Sequence, residues 1–127
     1  MVRASLDLEL DGLTEPIIGA GFAVSNGLGH GFLEAVYRNA LVEELRLSGL
    51  AVQAEKTFSV YYRDKRVGVY MADIVVADGV IVELKAVAGL ADAHAAQLLN
   101  YLRASQLPVG LLMNFGTPRL QWRRVIR

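Results

Sequence analysis

Apolar residues recur along this chain with two periods, and the change from one to the other divides it into segments. From Phe32 to Ser48 they fall at helical spacing. Leu33, Val36, Tyr37, Ala40, Leu41 and Leu47 make one stripe, and Gly49 follows as a stop, so a helix is predicted there. A shorter apolar segment, Ile17 to Val24, comes after Thr14-Glu15-Pro16, which reads as a helix start with proline in the first turn. Between the two lies Ser25 to Gly31, rich in glycine. His30 sits there without the lysine or spacing of a phosphate-binding P-loop, so the segment reads as an entry loop.

Beyond residue 50 the period drops to two. Thr57–Tyr62, Val67–Val76 and Val80–Val87 read as three strands in a meander, turned at Arg63–Arg66 and around Asp78-Gly79. Ala93–Ser105 is a predicted helix, Val109–Asn114 a fourth strand after Pro108, and Leu120–Ile126 a fifth. The order is helix, three strands, helix, strand, strand. It predicts a mixed sheet flanked by helices, of the α/β or α+β kind.

The most apolar extended stretch, Ala72 to Lys85, contains Asp73, Glu83 and Lys85. Buried strands seldom hold charge, because an unpaired carboxylate costs several kcal/mol or more to desolvate. Glu83 and Lys85 are two apart and share a face. The turn decides whether Asp73 joins them. A two-residue Asp78-Gly79 loop would put Asp73 opposite Leu84, on the wrong face. A three-residue loop, Ala77-Asp78-Gly79, puts it opposite Glu83. The second is predicted, with Gly79 supplying the left-handed residue such loops favour. Opposed carboxylates repel, and either a cation between them or a raised pKa relieves the repulsion. Oxygen ligands of this kind suit Mg²⁺. Lys85 could orient water or steady charge on a phosphate, or it could simply pair with an acid.

Length and composition narrow the classes. A chain of 127 residues fits a single domain spanning 1–127. Hydrophobic residues make up 54% and mean hydropathy is +0.34, a surplus that points to an interface between copies, such as a homodimer. No apolar run approaches the roughly 20 residues of a membrane span. Acids at Asp7, Glu9, Asp11 and Glu15 argue against a signal peptide, and the absence of cysteine fits a cytoplasmic protein. Net charge is +0, unlike a strongly basic nucleic-acid binder. The distribution is uneven: residues 1–55 hold three bases and eight acids, residues 56–127 ten bases and five acids. Arg119, Arg123, Arg124 and Arg127 fall in the last nine positions.

Further polar residues lie at helical spacing. Glu34 is in the first turns of the long helix, at the edge of its apolar stripe, where the helix dipole also favours an acid. Gln97 and Tyr101 are four apart and share a helix face, with His94 a turn earlier. A glutamine and a tyrosine there could hold a phosphate or a carboxylate, or could form an ordinary polar flank.

The run Gly31-Phe32-Leu33-Glu34-Ala35-Val36-Tyr37 matches G-x-x-E-x-x-Y. With Ala72-Asp73, Glu83-Leu84-Lys85, Ala96 to Leu102 and Gly110 to Phe115, the chain resembles the GxxExxY family, a branch of the PD-(D/E)xK nucleases, over roughly residues 15 to 126. The resemblance implies a restriction-endonuclease-like αβββαβ core. It implies Mg²⁺ (or Mn²⁺) on Asp73 and Glu83, with Glu34 adding a metal or water contact. Lys85 would position the attacking water, and Gln97 and Tyr101 match a Q-x-x-x-Y element that orients the site and the DNA. Ala72 departs from the proline of the superfamily name. The implied activity is hydrolysis of DNA phosphodiesters; the alternative is a catalytically silent module of the same shape that binds nucleic acid or a protein partner.

Overall fold

The computed structural model describes residues 2–127, with side chains from Glu9 onward. Eight elements follow one another: α1 (Val2–Leu28), α2 (Glu34–Leu47), β1 (Val52–Tyr62), β2 (Lys65–Val76), β3 (Val80–Lys85), α3 (Asp92–Ser105), β4 (Val109–Asn114) and β5 (Gln121–Ile126). The strands form one sheet in the order β1-β2-β3-β4-β5. Only β3 and β4 run parallel, joined across α3; the other neighbours are antiparallel. This is the predicted mixed sheet with flanking helices, a restriction-endonuclease-like α/β fold.

Strand parity sends side chains to two cores. On one face Ile74, Val76, Val82, Leu84, Leu111 and Met113 pack under α1 and α2. On the other, Val75, Ile81 and Leu112 meet Leu98 and Leu102 of α3. Val80–Lys85 and Val109–Asn114 lie in the middle of the sheet, which explains why their sequences are near-continuous apolar runs.

The first helix departs from expectation. It does not start at Thr14; Pro16 lies in its interior. Leu10, Thr14, Ile17, Gly21 and Val24 continue one buried stripe through the proline. Gly21 lets that stripe close on the sheet, for a Cβ there would stand 3.0 Å from Met113 Sδ. The Thr14 hydroxyl donates to the Leu10 carbonyl at 3.0 Å, so it is satisfied although buried. Burial of the stripe outweighs the proline penalty of about 3 kcal/mol. The loop after α1 is correspondingly shorter than Ser25 to Gly31.

The β2–β3 register pairs Val76 with Val80, Val75 with Ile81 and Ile74 with Val82. Three residues form the loop, as expected. The left-handed residues, however, are Ala77 (φ 52°) and Asp78 (φ 51°), not Gly79. The Gly79 N–H donates to the Val76 carbonyl, closing a tight turn whose two central residues take positive φ. Gly79 therefore follows the turn instead of forming its left-handed corner.

β1 and β2 are nearly twice as long as the remaining strands, and most of this hairpin projects past β3. Its Phe58 and Tyr70 pack toward α3, whereas Val67, Val69 and Met71 are exposed. No helix among the described residues is long and apolar enough to cross a membrane.

Replacing Pro16 with alanine restores a helix N–H on an exposed position. Pro16→Ala is expected to raise stability, by up to about 3 kcal/mol, as read by the urea midpoint. A lowered midpoint would show that the proline serves the helix rather than interrupting it.

Candidate active site

The ladder between β2 and β3 ends at Ile74 and Val82. Continuing its register brings Asp73 opposite Glu83, one step past the last rung. There the two backbones no longer pair, and Asp73 Oδ2 instead accepts the Leu84 N–H at 2.8 Å. A side chain thus replaces a ladder bond, which anchors the Asp73 carboxylate beside β3.

Glu83 lies in the row of Ile81, on the α3 face, and is 7% exposed. Its Oε1 is buried and accepts no hydrogen bond. Burial, then the charge and hydrogen bonding of the adjacent Asp73 carboxyl, push its pKa up to about 9, with Lys85 opposing. Near neutral pH the proton stays on Glu83 when the site holds no cation. Without an ion, burial beside Asp73 favours the protonated carboxyl, and the orphaned oxygen is the atom a cation would use.

Lys85 is on the same face two residues on, half-buried at the end of β3. Glu34 is the first residue of α2 and exposed. Desolvation and the Asp73 charge raise its pKa, while Lys85 and Arg38 lower it, so it lies within electrostatic reach of the pair. It does not close a cage with them: among the described residues no three Asp, Glu or His groups gather at metal-holding distance. The expected trio of Glu34, Asp73 and Glu83 is a close pair with a third acid at its rim. The reason is that Glu34 opens an exposed helix start, whereas Asp73 and Glu83 are fixed by the sheet.

Tyr101 borders the pair from α3. Desolvation, then Glu83 and Asp73, raise its pKa, so its hydroxyl keeps its proton. It stacks on Tyr70, centroids 4.0 Å apart, and Tyr70 stacks on Phe58 at 5.3 Å. The Tyr70 hydroxyl donates to the Tyr101 carbonyl at 2.9 Å. The hairpin and α3 are thereby locked together beside the acids. Gln97 is exposed one turn before Tyr101. His94 Nδ1 accepts the Ala91 N–H at 3.0 Å, so this histidine caps α3.

Two structural supports were not anticipated from the sequence. Tyr37 is fully buried and stacks on Phe115 at 4.8 Å. Its hydroxyl donates to the Gly29 carbonyl and accepts the Phe32 N–H, pinning the loop that leads to Glu34. Its place on the apolar stripe hid this polar task. Asn114, also fully buried, binds both the N–H and the carbonyl of Val87 at 3.0 Å. It ends the third strand at Lys85 rather than Val87. Asn114 Oδ1 also accepts the Gly116 N–H, and a Cβ at Gly116 would lie 2.3 Å from the Val87 carbonyl oxygen. A lone amide closing an apolar strand was the available signal.

A family model described as the PD-(D/E)XK nuclease superfamily matches residues 11–125. The chain belongs to that superfamily. No curated protein gives a significant match. Among solved structures, a crystal structure of SSO0001 superposes with TM-score 0.57 at 19% identity, over 73% of this chain and 49% of that one. At that identity the likeness shows the fold, and the chain spans about half the length of SSO0001.

Glu83 gives a pH signature. Between the ordinary carboxylate pKa of 4.5 and about 9, the folded chain keeps a proton that the unfolded chain has released. Stability contributed by this group therefore falls as pH rises through that window, by at most about 1.4 kcal/mol per pH unit. In chelated buffer the thermal midpoint is expected to drop from pH 5 toward pH 9, with Glu83→Gln flattening the slope. An unchanged slope in Glu83→Gln would place the proton elsewhere.

Proposed function

We propose that this protein is a metal-dependent nuclease of the GxxExxY branch that hydrolyses DNA phosphodiester bonds. One observation supports it above the others: the buried, unpartnered Glu83 oxygen lies against Asp73 with Lys85 on the same face. An uncompensated buried carboxylate is costly, and two carboxylates with open oxygens fit a hard divalent ion. Asp73 and Glu83 would hold Mg²⁺ or Mn²⁺, with Glu34 touching the ion or its water. Bound there, the ion would polarise a phosphate oxygen and acidify water.

The chain's own groups do the rest. The Lys85 ammonium faces the same space and steadies the negative charge that builds on a phosphate under attack. Tyr101, held protonated, donates its hydroxyl to a phosphate or to the carboxyl pair. Gln97, one turn away, reaches along the nucleic acid. The loop pinned by Tyr37 sets where Glu34 stands. Val67, Val69 and Met71, exposed on the outer face of the hairpin, offer a second copy of the chain an apolar surface; a sedimentation mass of two chains is expected.

The zero net charge and the open Glu34 position favour a second reading, a nuclease-shaped module that binds without cutting. Cleavage assays separate the two. Labelled single- and double-stranded DNA should be cut in Mg²⁺ or Mn²⁺ and spared in chelator. Asp73→Ala and Lys85→Ala should each slow cutting by about 10²-fold or more. Calorimetry should show ion binding that Glu83→Gln abolishes. DNA affinity without turnover, unaltered in Glu83→Gln, would establish the silent module instead.

A further inference from the structure

A cleft of about 440 Å³ opens at the β5 edge of the sheet, lined by Phe22, Leu90, Arg119, Gln121, Trp122 and Arg123. Trp122 is the one tryptophan of the chain and is 41% exposed. An exposed indole, a phenyl ring and two arginines line one cleft and combine a flat apolar surface with positive charge. That is the chemistry of a nucleotide: a base stacks and a phosphate pairs.

The register relates this cleft to the acids. Lys85 pairs with Asn114, and Asn114 with Gln121; Glu83 pairs with Leu112, and Leu112 with Arg123. Gln121 and Arg123 thus stand on the same rows and the same face as Lys85 and Glu83, two strands away, or about 10 Å; Trp122 pairs with Met113 and faces the α1 side, so the cleft wraps around the β5 edge. The loop after Lys85 is shared as well. The Leu90 N–H donates to Gln121 Oε1, which also accepts from Asn114, so this loop leaves the candidate site and becomes a wall of the cleft. Arg123 pairs with Asp92 at 3.1 Å, but the Asp92 side chain is fully exposed. A surface pair of this kind contributes little, and a phosphate can replace it.

We propose that the cleft is a subsite for a nucleotide of single-stranded nucleic acid, reached around the β5 edge from the phosphate placed at Lys85. Trp122 stacks the base, and Arg119 and Arg123 bind the flanking phosphates. A duplex keeps its bases stacked on each other and cannot offer one to the indole without unpairing. The preferred substrate is therefore a single strand, an overhang or a flap. The inference rests on the nuclease reading for its placement, but the cleft can be tested without cutting.

The single tryptophan reports directly on occupancy. Full-length Asp73→Ala protein in chelator is titrated with short oligothymidylate, oligouridylate or a duplex of equal length, following Trp122 emission and the anisotropy of a labelled strand. Saturable quenching by the single strands is expected, with the duplex bound about tenfold more weakly. The double variant Arg119→Gln, Arg123→Gln should lose about tenfold in affinity and part of the salt dependence. Trp122→Ala should lose a similar factor, and Trp122→Phe should largely restore it. Binding by anisotropy with unchanged emission, equal affinity for duplex, or a double variant that binds like its parent would each overturn the subsite. Cleavage by wild type without quenching would remove the subsite and leave the nuclease reading standing. Quenching without cleavage in either ion would do the reverse.

Discussion

The carboxyl of Glu83, buried against that of Asp73 where two strands part, is the constraint around which this domain is arranged. Two opposed acids in a sheet interior repel each other and lose water together. One stays neutral by keeping its proton. The other is held by a backbone N–H that the parted strands leave free. The pair calls for positive charge, and in the isolated chain the proton on Glu83 supplies it. On the proposed function, a divalent ion would take the place of that proton, so folding and ion binding would draw on the same pair of groups.

Such a site needs stiff surroundings, and the polar residues buried nearby supply them. Tyr37 spans from the β-sheet core to the loop before Glu34. Asn114 converts the end of β4 into a clamp on the chain leaving Lys85, and Gly116 gives the backbones room to approach. The Phe58, Tyr70 and Tyr101 stack ties the long hairpin to α3. Each satisfied buried bond contributes only about 1 kcal/mol. Their larger effect is to fix the backbone that carries Lys85 and the ring of Tyr101. The same clamp builds the wall of the Trp122 cleft, so the candidate chemistry and the adjacent aromatic surface share one rigid loop.

Much of this was present in the linear pattern. The order of elements after residue 30 follows from the change of period, and Val109–Asn114 has the predicted bounds. The meeting of Asp73 with Glu83 follows from loop length, because one residue more or less would turn Asp73 to the opposite face. The facing of Glu83 with Lys85 is simple parity. These features are local: they depend on backbone geometry within a strand or one turn, which the residues themselves dictate.

Tertiary packing decided the remainder. Leu10 lies before the helix start read at Thr14-Glu15-Pro16, and only because the sheet offers the stripe from Leu10 to Val24 a surface does α1 run through Pro16. Gly79 was the residue best able to take positive φ, yet the register required by the core assigned it to Ala77 and Asp78. The raised pKa of Glu83 depends on what surrounds it, since desolvation is a property of neighbours and not of spacing. Glu34 lies at the rim because the packing of α2 places it there. The sequence determined which residues are neighbours along strands and helices; the folded chain alone decided which of them lose water, and loss of water is what gives charge its chemical force.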